Sequence, residues 1–307
     1  MNQVSVVIPS VDWTPQLQKC LRSILTQQNV RLETWVVFNP NMPKSEVLEG
    51  WPDWIRFVRS DRGVNRARNE GVRRSTCERV LFLDSDCELV DLQHIEKLNT
   101  LWDENPTVDG VGGEYKLSFN SSEAAQAYQA LQMQWLRTQV INSKGETKAL
   151  IGGHMLLNRK LLLEAPFDEK ILFGGAEREF FVRLSNLSNK FIWTPELKVL
   201  HESNLTRKDL IKKARLQGLG DLYIQKKMKR LSIPVQNSPR LSSLNISNPE
   251  VLQLVDEYIR VFSKYARKNK KTWRHPFFRL LEHMNIAEHQ VKKERNFSKI
   301  SGSKFNL

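Results

Sequence analysis

A short apolar run that ends in two carboxylates constrains this chain more than any other stretch. Residues 80–83 are four consecutive apolar residues, which is typical of a buried strand. Asp84 and Asp86 follow at once, separated by one serine. Ligands of open α/β sheets bind just beyond the carboxyl ends of the strands, and paired carboxylates there suit a divalent cation and its diphosphate. The alternative is a solvated acidic turn, because Asp-x-Asp is a common pattern.

Strand-like and helix-like segments alternate over the first third of the chain. Apolar runs predict strands, and apolar residues at intervals of three and four predict helices. The predicted strands cover residues 4–9, 33–38, 54–59, 80–83 and 108–113, and the predicted helices cover residues 17–25, 64–75 and 92–102. This order predicts an α/β fold with a mostly parallel, Rossmann-like sheet flanked by helices on both faces.

The alternation becomes irregular between residues 121 and 201. An apolar stripe from Ala124 to Trp135 predicts a helix that packs on the sheet. The segments that follow are predicted as strands at residues 149–152, 155–157, 191–193 and 199–200, and as a helix at residues 159–164. A glycine-hinged loop at residues 173–180 is predicted to run into a helix that ends at residue 187. His201 ends the last of these strands, so the pattern puts a histidine at a strand end.

Charge is distributed unevenly along the 307 residues, whose net charge is +13. Residues 1–204 hold 24 Lys and Arg against 26 Asp and Glu, whereas residues 205–307 hold 23 against 8. The excess positive charge therefore belongs to the C-terminal third. The expected domains are an α/β body over residues 1–230 and a basic, mainly helical extension over residues 231–307.

The basic region contains two helical patterns, at residues 205–229 and 251–266, with a linker rich in Ser, Asn and Pro between them. Cations and aromatic residues are clustered at residues 267–278. This combination suits an anionic membrane surface or nucleic acid. A solvated helical cap on the body is the third interpretation. The last residues, from about 296, are expected to be disordered.

Hydropathy and cysteine content indicate the compartment. No run approaches the ~20 apolar residues of a membrane span, and the first residues lack the basic flank of a signal peptide. Cys20, Cys77 and Cys87 show no metal-ligand spacing. An odd number of scattered cysteines is typical of a reducing environment, so a cytoplasmic location is expected.

Five sequence blocks resemble those of the family 2 glycosyltransferases, which are nucleotide-sugar transferases with the GT-A fold. In chain order the blocks are residues 6–9 (VVIP), 63–71 (GVNRARNEG), 84–86 (DSD), 152–154 (GGH) and 174–183 (GGAEREFFVR). They stand in the family's order, and the resemblance extends over roughly residues 3–230. It implies a GT-A fold and the transfer of a sugar from a nucleotide-diphosphate sugar.

The resemblance also implies roles for charged residues. Asp84 would contact the ribose or a metal, and Asp86 would bind a divalent metal, Mg²⁺ or Mn²⁺, that bridges the two phosphates. His201 matches a position that can complete the metal site. Arg66 and Arg68 lie near the start of a helix, where the helix dipole and the guanidinium groups both favour phosphate, and they are expected to bind the donor.

The catalytic base of the family corresponds to Glu177. It has one more methylene than the family's Asp, but it can still accept a proton from an acceptor hydroxyl. The alternative role of Glu177 is a charge that complements the helix dipole. Glu179 is the second candidate for the base. The expected acceptor-binding residues are Gly152, Gly153, His154 and Glu179.

The segments expected to bind the nucleoside depart from the family. Pro9 and Ser10 are followed by an aliphatic residue and Asp12, where the family often has an aromatic residue. Asn39 stands where the family often has an Asp that reads uracil. Phe38 is expected to supply the stacking face, and Asn39 to hydrogen-bond the base. All five residues are expected to bind the donor, which is expected to be a UDP-sugar.

The implied activity is that of an inverting enzyme of the hexosyltransferase type, acting in surface polysaccharide, lipopolysaccharide or glycolipid synthesis. Its acceptor would be a glycan or a lipid-linked molecule, with the basic extension on the inner face of the membrane. A nucleotidyltransferase stays open as an alternative, although residues 10–15 lack the glycine-rich loop of that class. A non-catalytic module that binds nucleic acid is the other alternative, but it leaves the acidic and Gly-Gly blocks unexplained.

Overall fold

A central β-sheet forms the body of the protein. The computed structural model describes residues 3–118, 121–172, 175–185, 190–201, 204–233 and 246–266. The strands in these ranges are β1 (Gln3–Ser10), β2 (Arg31–Phe38), β3 (Ile55–Arg59), β4 (Arg79–Leu83), β5 (Cys87–Glu88), β6 (Gly110–Leu117), β7 (Glu146–Thr147), β8 (His154–Asn158) and β9 (Phe191–His201).

The strand order is β3-β2-β1-β4-β8-β6-β9-β5, and β7 pairs with β9. Strands β1 to β4 are adjacent in the sheet and all parallel to one another. Strand β8 is inserted antiparallel between β4 and β6, and β9 is parallel to β6. Because two reversals restore the direction, β6 and β9 point the same way as β1 to β4. The predicted mostly parallel α/β sheet is confirmed.

Helices cover both faces of the sheet. They are α1 (Pro15–Leu25), α2 (Ser45–Leu48), α3 (Val64–Arg74), α4 (His94–Asp103), α5 (Glu123–Arg137), α6 (Arg159–Glu164), α7 (Ala176–Leu184), α8 (Arg207–Arg230) and α9 (Pro249–Ala266). Local sequence fixes several of their starts. The Thr14 side chain accepts a hydrogen bond from the first turn of α1, and Thr206 and Asp209 form a reciprocal capping box on α8.

The core has one layer on each face of the sheet. Along β1, Val6 and Ile8 pack on the α1 side, whereas Val7 packs on the α3 side. Gly71 of α3 lies directly against Val7, so closely that a β-carbon at position 71 would overlap the valine side chain. The glycine therefore lets α3 approach the sheet, and α3 carries Arg68.

Helices α5, α8 and α9 form a third cluster beside the sheet. The apolar face of α9, with Val251, Val255 and Tyr258, is buried together with residues of α5 and α8 such as Leu131 and Leu210. This stretch of the basic extension is a helical cap on the body, which is one of the three interpretations considered from the sequence. No helix in the described ranges combines the length and apolar character of a membrane span.

Strands predicted in two regions of the chain differ from the structure. Residues 149–152 are not a strand; they are buried and turn into β8, with the Ile151 carbonyl accepting from the His154 amide over 3.1 Å. The two short strands predicted at residues 191–193 and 199–200 are one strand, β9. Its polar middle coincides with a register shift opposite β6, which interrupts the apolar pattern without ending the strand.

The predictions for the chain end lie outside the described residues. They concern the cationic and aromatic cluster at residues 267–278 and the disorder expected from about residue 296. Helix α7 ends at Leu184, three residues before the predicted end of that helix, and residues 186–189 are also outside the described ranges.

Candidate active site

Three carboxylates and two basic side chains meet at the edge of the sheet where β4 ends. Asp84 follows β4 directly, and Asp86 precedes β5. Arg68 comes from α3, Glu177 from the first turn of α7, and His201 from the end of β9. The carboxyl ends of the parallel strands lie at this edge, where α/β folds bind ligands. Asp84, Asp86 and Glu177 are together called the acidic site below.

Arg68 joins two members of the acidic site. Its side chain is 2% exposed; one terminal nitrogen lies 2.8 Å from Oε1 of Glu177, and the other 3.7 Å from Oδ1 of Asp84. Burial raises the pKa of Glu177, but the charge and the hydrogen bond of Arg68 outweigh burial and lower that pKa overall. Glu177 is therefore ionised at neutral pH, which is the state that a general base requires.

Tyr115 at the end of β6 fixes the second carboxylate. Its hydroxyl donates to Oδ2 of Asp84 over 2.8 Å and accepts from the Gly153 amide over 2.9 Å. A β-carbon at position 153 would overlap Asp84 and the Tyr115 hydroxyl, and one at position 152 would overlap Glu177. The Gly-Gly pair therefore gives Asp84 and Glu177 the space that they occupy.

Asp86 and His201 form the other end of the site. Strand β5 pairs with β9 so that Cys87 lies opposite His201, and this register brings Nε2 of His201 to 3.4 Å from Oδ1 of Asp86. Burial lowers the pKa of His201, but the hydrogen bond and charge of Asp86 outweigh it and raise that pKa. The imidazole also stacks on Tyr115, with ring centroids 4.5 Å apart and planes at 8°.

The donor atoms at this end fit a divalent cation. One ligand atom each from Asp86, Cys87 and His201 lies within 4.8 Å of the others. Burial raises the pKa of Cys87 well above its ordinary value, so it stays a neutral thiol and is a poor ligand for Mg²⁺ or Mn²⁺. Asp84, Asp86 and His201 are the carboxylate and imidazole donors that suit such an ion.

The residues expected to bind the nucleoside lie at the ends of β1 and β2. Phe38 is fully buried, with the rings of Trp13 and Phe57 each 6.4 Å away. It offers no face to a nucleobase, which corrects the expectation from the sequence. Trp13, directly after Asp12, is only partly buried and packs against Trp51 and Phe57. An aromatic residue, Trp13, therefore does follow β1, one position after Asp12.

The polar groups beside Phe38 are bonded within the protein. The Asn39 amide nitrogen donates to the Ser10 carbonyl over 3.0 Å, and its oxygen accepts from the Gly63 amide over 3.4 Å. The buried Ser10 hydroxyl donates to the Asp12 carbonyl over 2.8 Å, and Pro9 is buried in β1. Asp12 itself is exposed. These contacts fix the loop after β1 at the same edge of the sheet as Asp84.

The two arginines of α3 that were expected to bind the donor have different surroundings. Arg68 is buried between carboxylates, so its first role is to position Glu177 and Asp84 rather than to face solvent. Arg66 is 36% exposed and lies 3.4 Å from Asp61 and 3.7 Å from Glu169. Both arginines are therefore already paired with carboxylates in this structure.

Two of the expected acceptor-binding residues lie in the interior instead. His154 is fully buried, with its Nε2 2.8 Å from Nε2 of His94 on α4. Glu179 is fully buried and pairs with Arg183 over 3.0 Å and with Lys227 over 2.8 Å. Because neither side chain faces the acidic site or solvent, both expectations are corrected. Gly152 and Gly153 remain at the site.

Residues that the sequence did not single out also reach the site. Tyr115 was missed because the predicted strand stopped at residue 113, two positions short of it. Tyr128 and Lys213, from α5 and α8, interact electrostatically with the site: the charges of Glu177 and Asp84 contribute to the raised pKa of Tyr128, and the charge of Lys213 contributes to the lowered pKa of Asp86. Burial is the largest cause of the Tyr128 shift. No local sequence signal marks these two residues, because they depend on how the helical cap packs.

The sequence model described as "Glycosyl transferase family 2" matches residues 5–164. A curated relative, "Glycosyltransferase GlyA" of Streptococcus pneumoniae serotype 4, is 29% identical over 127 residues. That match covers 40% of this chain and 18% of the relative, so this chain corresponds to less than a fifth of that protein.

Solved structures share the fold at low sequence identity. The mannosyltransferase PcManGT from Pyrobaculum calidifontis, in complex with GDP-Man and Mn²⁺, has a TM-score of 0.57 at 18% identity, covering 97% of this chain and 84% of that one. S. aureus TarS 1–349, in complex with UDP-GlcNAc, has a TM-score of 0.51 at 14% identity, covering 91% and 78%. The GT-A fold expected from the sequence blocks is confirmed.

Proposed function

The chain belongs to glycosyl transferase family 2, and on that premise we propose that it transfers a sugar from a nucleoside-diphosphate sugar to an acceptor hydroxyl with inversion at the anomeric carbon. The observation that carries this proposal is the arrangement around Arg68. One buried guanidinium binds Glu177, the candidate base, and lies beside Asp84, the first carboxylate after β4. Base and donor site are therefore held by a single side chain.

Glu177 performs the proton transfer in this proposal. Its carboxylate is ionised and 28% exposed. It accepts the proton of the acceptor hydroxyl while that oxygen forms a bond to the anomeric carbon. The bond from the anomeric carbon to the phosphate oxygen breaks on the opposite face, and its electron pair leaves with the nucleoside diphosphate. A sugar with an α-linked diphosphate then gives a β-linked product.

Asp84, Asp86 and His201 hold the divalent cation in this proposal. The cation, Mg²⁺ or Mn²⁺, would offset the negative charge of the departing diphosphate. Tyr115 supports the ligand set from both sides, because it hydrogen-bonds Asp84 and stacks on His201. PcManGT, whose complex contains Mn²⁺ and GDP-Man, provides a precedent on the same fold.

The donor in this proposal is a nucleotide hexose, with a UDP-sugar as the first candidate. TarS has been solved with UDP and with UDP-GlcNAc, and PcManGT with GDP-Man, so the fold accommodates both uracil and guanine nucleotides. Trp13 is the partly buried aromatic residue nearest the end of β1, and it replaces Phe38 as the group that would stack on the base.

The acceptor in this proposal is a glycan or a lipid-linked glycan on the cytoplasmic face of the membrane, in the synthesis of a surface polysaccharide, lipopolysaccharide or glycolipid. The cationic and aromatic residues 267–278 would attach the enzyme to anionic lipid there. The family membership favours glycosyl transfer over the two alternatives, a nucleotidyltransferase and a non-catalytic module that binds nucleic acid.

A thermal-shift panel tests the proposed donor class. Ligands that bind the folded state raise the unfolding temperature by mass action. We expect either the UDP-sugars (UDP-glucose and UDP-GlcNAc) or GDP-mannose to stabilise the protein when Mn²⁺ is present. The stabilisation should be lost when EDTA is added. Stabilisation by none of them, or equal stabilisation by the free sugars, would contradict the proposal.

A further inference from the structure

The first turn of α7, which carries Glu177, is held from two sides. On one side Arg68 of α3 binds Glu177, with 2.8 Å between a terminal guanidinium nitrogen and Oε1. On the other side Arg178, the next residue of α7, forms an ion pair with Oδ1 of Asp221 on α8. Consecutive residues of a helix point about 100° apart, so the two ion pairs fix the turn from different directions.

The ion pair between Arg178 and Asp221 lies inside the protein. The side chain of Asp221 is 6% exposed and that of Arg178 is 17% exposed. Gln225, one turn further along α8, donates from its amide nitrogen to Oδ2 of Asp221 over 2.6 Å. Both oxygens of the Asp221 carboxylate are therefore engaged. Because the pair is shielded from water and hydrogen-bonded on its acidic side, Arg178 has little freedom to move.

Apolar contacts hold the same turn against α8. Ala176, which precedes Glu177, is buried in a cluster with Leu219 of α8. Gly175 precedes the helix with φ at +100°, and a β-carbon at this position would lie 3.3 Å from Cδ1 of Ile224 on α8. The residues on both sides of Glu177 in the chain therefore contact α8, whereas Glu177 itself binds α3.

A second ion pair between α7 and α8 lies farther from the base. Glu179, two residues after Glu177, binds Lys227 of α8 over 2.8 Å. Lys227 also binds Asp168 over 2.6 Å, so its position does not depend on Glu179 alone. The pair of Arg178, in contrast, joins the residue adjacent to Glu177 directly to α8. The position of the base along this side therefore depends most on the Arg178 pair.

We propose that Asp221 is a positioning residue for Glu177, because its ion pair with Arg178 fixes the first turn of α7 where the Glu177 carboxylate meets the acceptor hydroxyl. This inference rests on the proposed function. It adds to that function a residue of α8, which lies outside the matched family region that ends at residue 164. Asp221 touches neither the substrate nor the reacting atoms in this role. A base displaced by about 1 Å can cost roughly 10²-fold in turnover, whereas the donor binds at the end of β4 and is not displaced with the turn.

Steady-state kinetics of Asp221→Asn test the assignment. The readout is the release of nucleoside diphosphate from UDP-glucose, UDP-GlcNAc and GDP-mannose, each with Mn²⁺. Water serves as the acceptor in this assay, because Glu177 would deprotonate water as it does an acceptor hydroxyl. The release is measured as a function of donor concentration, so that kcat and the KM for the donor are obtained separately.

Two further variants make the test specific. One chain carries Asp221→Asn together with Arg178→Met, so that no buried cation is left without its partner. Asp256→Asn is the matched control, because it makes the same change at an exposed position of α9. Unfolding temperatures show which variants are folded at the temperature of the assay.

We expect Asp221→Asn and the double variant to lower kcat by about 10- to 100-fold, with a KM for the donor close to that of the wild type. Asp256→Asn should behave like the wild type. In a chain that already carries Glu177→Gln, Asp221→Asn should lower turnover little further, because no base is left to position.

A wild-type kcat in either variant of Asp221, once shown to be folded, would overturn the assignment. So would a loss of turnover by the same factor with and without Glu177→Gln, because effects that are independent of the base multiply. Slow turnover of Glu177→Gln alone would leave the proposed function intact in both cases. A wild type that binds none of the three nucleotide sugars and releases no diphosphate would refute the proposed function, and this inference with it.

Discussion

At the scale of single residues, Arg68 determines how the site carries negative charge. Two carboxylates at short range would normally hinder each other's ionisation. The buried guanidinium hydrogen-bonds one of them and lies beside the other, while Tyr115 donates to Asp84. Burial still raises the pKa of Asp84, whereas that of Glu177 is lowered. The two carboxylates therefore differ in basicity.

Replacing Glu177 by Gln tests its role as the base. The amide has nearly the same shape and can still accept a hydrogen bond from Arg68, but it cannot take a proton. We expect turnover to fall by ~10²- to 10⁴-fold, the usual range for loss of a general base, with donor binding little changed. Steady-state kinetics with the identified donor measure this. Near-normal turnover would move the role to another group.

Glu179→Gln is the matched control, because it changes the other carboxylate in the first turn of α7 in the same way. Glu179 is buried between Arg183 and Lys227. Removing its charge leaves two partly buried cations with a weaker partner, although Lys227 keeps Asp168, so the loss should be smaller than for a fully buried ion pair, about 3–5 kcal/mol. Both variants weaken the pairing of a basic side chain inside the protein, so both should unfold at a lower temperature, but only Glu177→Gln should lose turnover. The reverse pattern would exchange the two roles.

The sequence identified the residues of the site whose position follows from a strand end. Asp84, Asp86 and His201 each follow or end an apolar run, so their place at the sheet edge could be predicted. His154 and Glu179 belong to the same motifs, but their side chains find partners in the interior, His94 and Lys227. Such partners come from distant parts of the chain, and local patterns contain no information on them.

At the scale of elements, the antiparallel strand β8 connects the site with the opposite face of the sheet. Gly153, just before β8, makes room for Asp84, whereas the next residue, His154, points to α4. There it forms a buried pair with His94 in which both imidazoles are close to neutral, because burial lowers both pKa values. Gly153 and His154 are consecutive in the chain, so the same short segment makes room for Asp84 at the site and contributes one histidine to the buried pair.

The histidine pair predicts acid sensitivity of the fold. Burial lowers the pKa of His94 from 6.5 to about 4. The unfolded chain then binds the proton more readily than the folded one, so stability is lost as pH falls from about 6.5 towards 4. We expect the free energy of unfolding to drop by about 2 kcal/mol from this group between pH 7.5 and 5.0.

Urea unfolding at the two pH values measures the effect, in the wild type and in His94→Gln. The variant has one titrating group fewer at the pair, so its stability should depend less on pH. An equal loss of stability in both proteins would contradict this explanation.

The elements themselves were predictable where apolar periodicity was long and uninterrupted, as in α1 and β4. Strand β9 was divided in two because its polar middle, at a register shift, resembles a loop. Residues 149–152 were assigned as a strand because their side chains are apolar, but burial beneath a turn gives the same pattern. An apolar sequence indicates that a segment is buried, whereas a strand also requires backbone hydrogen bonds to a neighbouring strand.

At the scale of the whole molecule, the basic C-terminal third contains a helix that packs on the body and a segment proposed to bind membrane. Helix α9 covers α5 and α8 with its apolar face, so this stretch stabilises the body. The cationic and aromatic residues 267–278 follow it in the chain and are the part proposed to bind membrane. The sequence left a membrane surface, nucleic acid and a helical cap open for this region, because composition does not separate a packed helix from a binding segment.

Liposome flotation tests the membrane proposal on the full chain. Each Lys or Arg near an anionic surface contributes about 1 kcal/mol, screened over a Debye length of ~8–10 Å. We expect binding to anionic vesicles that weakens steeply with salt, and a marked loss of binding when Arg267, Lys268, Lys270 and Lys271 are changed to Gln. The control variant changes four exposed lysines of the body to Gln: Lys44, Lys148, Lys160 and Lys190. Equal recovery of both variants at low salt would remove the membrane proposal.

The central proposal is that glycosyl transfer takes place at the acidic site. Measuring the release of nucleoside diphosphate from the identified donor tests this proposal most directly. Asp86→Ala removes a proposed metal ligand that is 38% exposed and lies in a loop, so the fold should remain intact. Asp53→Ala, at an exposed position before β3, is the control. With Mn²⁺ present, we expect wild type and Asp53→Ala to release the diphosphate in the presence of acceptor. Asp86→Ala should release it at least ~10³-fold more slowly, as the wild type should with EDTA. Wild-type release by a folded Asp86→Ala protein would contradict glycosyl transfer at this site.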